Sequence, residues 1–240
     1  MKLVKYIPDT VTSMNIICGV IGVIFAFKGN LEIAFILMLA AAVFDFCDGF
    51  AARALNAYSD LGRELDSLCD LVSFGVLPSV MLYKLMCICS FSESWYCWIP
   101  LVITVFSALR LAKFNVDERQ HENFLGLPTP ACAILCGALC DFVAHSPAGF
   151  LADWCAGPVF IPVLSVVLSA LLVCEIPMFS MKIKFGKGLD VMAQKRLLFC
   201  ALVLAVALVA ILLHLHWSFV PLVSFVLYIL KNIVYKVFGL

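Results

Sequence analysis

The 240-residue chain is 64% hydrophobic and only 13% charged, whereas about a quarter of a soluble domain's residues carry charge. Its 16 basic residues balance its 16 acidic ones, which gives no basic face for nucleic acid, and so apolar a composition excludes a disordered tail. What these numbers leave is one domain, residues 1–240, built as a bundle in lipid.

The N-terminus carries Lys2 and Lys5 but no short apolar stretch with a cleavage site, so the first span is expected to be retained. Apolar runs follow at about 12–27, 31–52, 66–89, 95–114, 128–145, 158–176, 197–214 and 217–238. Each approaches or exceeds the roughly 17–25 residues a helix needs to cross the hydrocarbon core. Eight helices are predicted. Nothing alternates in the manner of a barrel strand, so the expected class is an all-α integral membrane protein. With the N-terminus in the cytoplasm, all 16 Lys and Arg residues except Lys28 and Lys84 fall on the cytoplasmic side, and an even number of spans returns the C-terminus there. The loops around Trp95, Asp153 and His214 then face outward.

Of the 12 cysteines, Cys18, Cys47, Cys69, Cys132, Cys136, Cys140, Cys174 and Cys200 lie inside apolar runs and read as small buried hydrophobes. No C-x2-C pair suggests a zinc site. His121 lies in a charged loop, the other histidines sit away from the acids discussed next, and none is assigned to catalysis.

Four carboxylates, Asp45, Asp48, Asp66 and Asp70, stand at the facing ends of two apolar helices. Each would cost about 2.5–3.5 kcal/mol at a helix centre, and four like charges together require a compensating cation. Asp45, Asp48, Gly49 and Ala52 share one helical face, as do Gly62, Asp66 and Asp70 on the next helix. A turn through Asn56 to Asp60 brings the two faces together. Clustered hard oxygen ligands call for Mg²⁺ or Mn²⁺, and a pair of such ions suits a phosphoryl displacement. The bland reading is a salt-bridged group, with Asp45 and Asp48 on Arg53 and Asp66 on Arg63 or Arg110. Gly49, Ala52 and Gly62 leave the helix faces bare, either for helix packing or for a ligand.

The stretch Asp45-x2-Asp48-Gly49-x2-Ala52-Arg53-x8-Gly62-x3-Asp66-x3-Asp70 resembles, without a departure, the signature of the CDP-alcohol phosphatidyltransferase family. The resemblance implies that the first three aspartates hold two divalent ions on the diphosphate of a CDP-linked lipid. It also implies that Asp70 completes the second ion's site and acts as the base, and that Gly49, Ala52, Gly62 and Arg53 border the nucleotide. A homodimer and a place in the bacterial inner membrane, with the site on the cytoplasmic side, are what such a resemblance suggests. Pro8 to Asn15 begins the first helix with Thr12, Asn15 and Gly19 on one face. In related enzymes this start borders the nucleotide, so Thr12 and Asn15 either read cytosine edges or serve capping and interhelical hydrogen bonds.

The wider stretches Gly62 to Pro78, Arg110 to Asn115 and Phe124 to Ala131 resemble bacterial phosphatidylserine synthases of the membrane-embedded type. An arginine is often met there where Lys113 stands. The implied reaction joins CDP-diacylglycerol and L-serine. Motif-bearing helices at 31–89 and an acceptor-side segment at 106–131 would carry it. A serine acceptor needs a cation for its carboxylate, which Arg110 or Lys113 supplies, with Asn115 at the same depth. The alternative for these residues is a positive-inside flank. Gly126 and Pro128 are expected to shape the turn into the fifth helix, and Thr129 to cap it. The loop from Lys182 to Gly188 holds lipid phosphate or simply touches anionic lipid.

Rival readings are the same transfer to glycerol 3-phosphate or inositol phosphate, which would want more basic groups, and a cation transporter or membrane scaffold. Against transport, the acids gather at one interface with no matching polar residues across the midplane.

Overall fold

A computed structural model describes residues 6–55, 57, 59–90, 93–116, 124–146, 149–178 and 191–238. His121, Asn56 and the loop at 182–188 lie outside them. The chain leaves α1 (Ile7–Phe27) and enters α2 (Leu31–Ala54) through a link of three residues. Gly29 takes φ +80°, its N–H donates to the Ala26 carbonyl at 2.9 Å, and the Asn30 N–H donates to the Phe25 carbonyl at 3.0 Å. This bond pair closes α1 on a left-handed glycine. The Asn30 side chain then accepts from the Ile33 N–H at 3.1 Å and caps α2. One asparagine therefore ends a helix and begins the next, which sets α1 and α2 antiparallel and in close contact.

The next span starts at Ser59, whose Oγ accepts from the Gly62 N–H at 2.9 Å and caps α3 (Asp60–Asp70). Directly after Asp70 the helix widens into a π-helical stretch, Leu71–Val76, before it continues as α4 (Leu77–Ser90). The Gly75 carbonyl accepts from Ser79 Oγ at 2.7 Å and from Thr104 Oγ1 at 3.2 Å, so polar side chains satisfy the backbone where the ladder changes. The run predicted at 66–89 is thus the inner part of a longer helix, Asp60–Ser90. It is the central element: 67% of its apolar window is buried, against 28% in each of the other three long apolar helices.

A 3-10 helix, Trp95–Leu101, leads into α5 (Val102–Val116), and α6 (Thr129–His145), α7 (Phe150–Ala156), α8 (Phe160–Val173), α9 (Val191–Leu212) and α10 (Phe219–Phe238) complete the bundle. Phe35, Met38, Phe74, Leu77, Met81, Leu85 and Ile161 are buried in its core. Gly137 of α6 lets the Phe35 ring lie against the helix backbone; a methyl group there would meet the ring.

Among the described residues four helices, Ile7–Phe27, Leu31–Ala54, Asp60–Ser90 and Trp95–Val116, are long and apolar enough to cross a membrane, and the bent pair Thr129–His145 with Phe150–Ala156 makes a fifth if it counts as one span. Ile17, Ile24, Val43, Phe46, Phe50, Val163 and Leu208 point outward, an apolar exterior that suits lipid. The chain is an all-helical integral membrane protein in which the strand pairing among the described residues is confined to one antiparallel two-residue pair, β1 (Phe124–Leu125) with β2 (Pro177–Met178). The same exterior corrects two of the cysteines: Cys47 and Cys200 are exposed, not buried. An apolar run in lipid does not distinguish an inward face from an outward one.

Candidate active site

α2 and α3 bring their acidic faces together as their spacing requires. Asp45, Asp48 and Asp66 each offer a carboxylate oxygen within 4.8 Å of the others. Asp70, one helical turn beyond Asp66, lies outside this trio and is 8% exposed. Its Oδ1 accepts from Asn15 Nδ2 of α1 at 3.1 Å. The stripe Thr12, Asn15, Gly19 is buried on α1, where Ser73 of the π-helical stretch donates to the Asn15 carbonyl at 3.1 Å.

Between these helices and the start of α1 opens a cleft of about 520 Å³, lined in part by Thr12, Asp48, Gly49, Ala52, Arg53, Gly62 and Asp66. Asn15 does not line it. Of the two motif glycines, Gly62 has protein neighbours that explain it: a methyl group there would stand 2.9 Å from Ser59 Oγ and 3.0 Å from Asp9 Oδ1. Gly49 has none; its nearest neighbour would be Arg53 Nη1 at 3.5 Å, an ordinary contact. Gly49 therefore has no packing neighbour that explains it, and its bare face lines the cleft.

Among the described residues no Lys or Arg forms an ion pair with the four acids. Arg63 pairs instead with Asp60 at 3.9 Å and Glu64 at 3.8 Å, so the salt-bridged reading has no support. The buried Asp48 Oδ2 and Asp66 Oδ1 find no hydrogen bond. Buried anionic oxygens without donors, set beside a third carboxylate, form a donor set that fits a hard divalent cation.

The predicted acceptor residues do not form a single group. Arg110 is buried, and its Nη1 donates to Thr129 Oγ1 at 3.2 Å. Its Nε and Nη2 are buried without partners. Lys113 is partly exposed and pairs with Glu175 at 3.3 Å, while Asn115 Nδ2 donates to Ser67 Oγ at 2.9 Å. Thr129 does not cap α6, whose N-cap is Pro128 with no side-chain hydrogen bond; the neighbouring guanidinium takes its hydroxyl. Ser59 and Asp9 also border the cleft. The serine three residues before Gly62 is the helix-start signal that could have placed it, whereas the Arg110 to Thr129 contact has no signature in sequence.

The sequence pattern of CDP-alcohol phosphatidyltransferases matches residues 5–173, which contain every residue of this site. The chain belongs to the CDP-alcohol phosphatidyltransferase family. Among its relatives, a CDP-diacylglycerol–serine O-phosphatidyltransferase of Bacillus subtilis (strain 168) is 39% identical over 126 residues, 52% of this chain and 70% of the relative. One of the same name from Mycobacterium leprae (strain TN) is 35% identical over 185 residues, 74% of this chain but 59% of that longer protein. An archaetidylserine synthase of Methanothermobacter thermautotrophicus is 33% identical over 159 residues, 62% of this chain and 66% of the relative. The phosphatidyltransferase family thus supplies a reaction class for the acidic cleft.

Proposed function

We propose that the chain transfers the phosphatidyl group of CDP-diacylglycerol to the hydroxyl of L-serine, giving phosphatidylserine and CMP. One observation carries the reading: three carboxylates cluster where two of them, Asp48 and Asp66, line a cleft with buried oxygens that lack donors, beside a bare wall at Gly49 that has no packing neighbour. The serine synthase names of the relatives favour serine over glycerol 3-phosphate or inositol phosphate. So does the basic inventory, since a phosphorylated acceptor would want more free cations than Arg110 beside a Lys113 already paired with Glu175.

In this proposal Asp45, Asp48, Asp66 and Asp70 would hold two ions, Mg²⁺ or Mn²⁺, which would supply positive charge for the diphosphate and the departing CMP. Thr12, Gly49, Ala52, Arg53 and Gly62 border the nucleotide. Asn15 holds the Asp70 carboxylate in place. Asp70 accepts the proton of the serine hydroxyl, the hydroxyl oxygen forms its bond to the β-phosphorus, and the phosphoanhydride bond to CMP breaks. Arg110 meets the serine carboxylate, with Lys113 and Asn115 at the rim. The chain acts as one membrane domain over 1–240, with helices 31–89 bearing the motif and 106–131 facing the acceptor. It spans the bacterial inner membrane eight times as a homodimer, with both termini and the site on the cytoplasmic side, where the basic residues fall.

The test is CMP release by the purified protein in detergent with CDP-diacylglycerol and Mn²⁺, adding L-serine, glycerol 3-phosphate, inositol phosphate or no acceptor. Serine-dependent release that stops in chelator is expected. Release with another acceptor overturns serine, release that persists in strong chelator overturns the ions, and ion flux in liposomes without CMP production would favour a transporter.

A further inference from the structure

At the other end of the bundle stands a second group of metal-ligating side chains, unrelated to the family motif. Glu32 lies in the first turn of α2 and Asp45 thirteen residues later, which at 1.5 Å per residue separates the two ends by about 20 Å. There Asp141 and His145 of α6 meet His216, which precedes α10. All three offer a ligand atom within 4.8 Å of one another.

Asp141 is 0% exposed, yet neither of its carboxylate oxygens finds a hydrogen bond. Such a group is costly in a bundle interior unless a cation faces it. Two ring nitrogens lie beside it: His216 Nδ1 is 3.3 Å from Oδ2, and His145 Nδ1 is 3.4 Å from Oδ1.

The tautomer of His145 is fixed by its neighbour. Its Nδ1 lies 2.9 Å from the Asp141 carbonyl oxygen, which can only accept, so Nδ1 carries the proton and Nε2 presents its lone pair. An imidazole N–H held by a backbone carbonyl is the usual support of a metal-binding histidine. That Nε2 faces Glu32 Oε2 at 3.5 Å, which adds a fourth donor. His216 is held by Ser218, whose Oγ is 2.8 Å from Nδ1. The two imidazoles stack with centroids 3.9 Å apart and planes 9° from parallel.

We propose that Asp141, His145 and His216, with Glu32 as the fourth ligand, form a binding site for a borderline divalent ion of the Zn²⁺ type. The mixture of imidazole and carboxylate selects such an ion over Mg²⁺, which suits the all-oxygen cluster. Binding ties the chain before α10 to α2 and α6, a structural clamp remote from the phosphatidyl-transfer cleft.

The experiment uses the full chain in detergent, stripped with chelator and returned to excess Mg²⁺, and titrates it with Co²⁺ as an optically active stand-in. One Co²⁺ per chain is expected, with the visible absorption of a four-coordinate site, displaced by Zn²⁺. His216→Gln and Asp141→Asn should weaken binding by about 100-fold or more, since loss of a supporting contact alone costs about 10- to 100-fold. Asp45→Asn and Asp66→Asn should leave it unchanged. Zn²⁺ should raise the thermal unfolding midpoint of the native chain and not of His216→Gln. Absence of the absorption in the unaltered chain overturns the site whether or not any variant folds, as does equal binding by His216→Gln.

Discussion

Asn15 and Asp70 lie 55 residues apart in the chain and are joined by a single hydrogen bond of 3.1 Å, amide to carboxylate, in the bundle interior. α1 thereby fixes the carboxylate proposed as the base, while the π-helical turn that begins at the next residue anchors Ser73 to the Asn15 backbone at 3.1 Å. Two bonds to one residue set both the depth and the direction of Asp70. Removing the amide by Asn15→Ala should lower kcat about tenfold, the effect of one hydrogen bond to a charged group. The KM for CDP-diacylglycerol should change little, because Asn15 does not line the cleft. Steady-state CMP release checks it, and an unaltered kcat would remove Asn15 from positioning.

Asp70→Asn tests the base itself. The substitution keeps shape and a hydrogen-bonding oxygen but not the proton acceptor, and general base catalysis contributes about 10²- to 10⁴-fold. Turnover should fall by that much while helicity and elution in detergent stay as before. Residual turnover within tenfold of the unaltered chain would move the base elsewhere.

Much of this site is legible in the sequence because helical periodicity converts spacing directly into a shared face. Asp45 and Asp48 share a face of α2, and Asp66 and Asp70 a face of α3, because residues three and four apart lie one above the other, and the short turn between the helices sets the two faces together. The short, capped connections at Asn30 and Ser59 are equally local. What is not legible depends on helix-to-helix contact. Hydropathy places Arg110 at the end of a span but does not tell that its guanidinium meets Thr129 rather than solvent. The π-helical turn at Leu71–Val76 is invisible to an apolar pattern, since it changes backbone hydrogen bonding without changing residue type. Asp141 and His145 share a face of α6 at i and i+4, a spacing the sequence shows, but His216 reaches them from another element, and no spacing connects it to them.

Arg110 offers a sharper test of the acceptor than of the donor. Its Nε and Nη2 are buried without partners, an arrangement that suits a bidentate bond to a carboxylate. Arg110→Lys keeps the charge and loses the fork. The KM for serine should rise about 10- to 100-fold, with the KM for CDP-diacylglycerol within about twofold. Equal effects on both substrates would assign Arg110 to folding instead.

Gly126 closes the junction between β1 and α6. Its φ is +78°, and a methyl group there would lie 2.6 Å from the Leu172 carbonyl and 2.8 Å from that of Cys174. Both neighbours are backbone, so neither can swing aside. Gly126→Ala should destabilise the fold by about 1–3 kcal/mol, read as a lower thermal midpoint in detergent. An unchanged midpoint would mean that the tie between β1 and β2 contributes nothing to stability.

Gly49 and Gly62 separate a ligand role from a packing role when each is changed to alanine. Alanine in a helix interior is favoured over glycine by about 0.5–1 kcal/mol. At Gly49 the added methyl meets nothing closer than Arg53 Nη1 at 3.5 Å, so Gly49→Ala should be as stable as the original chain or more so. The methyl would project into the cleft, and the KM for CDP-diacylglycerol should rise tenfold or more, an effect of roughly 1.4 kcal/mol. At Gly62 the same methyl is forced against Ser59 Oγ at 2.9 Å and Asp9 Oδ1 at 3.0 Å, so that variant should lose stability and disturb the cap of α3. Thermal midpoints and donor KM values measured side by side check the contrast. A Gly49→Ala protein with normal donor KM would show that the nucleotide does not approach this wall of the cleft, and the donor would then have to be placed against another face.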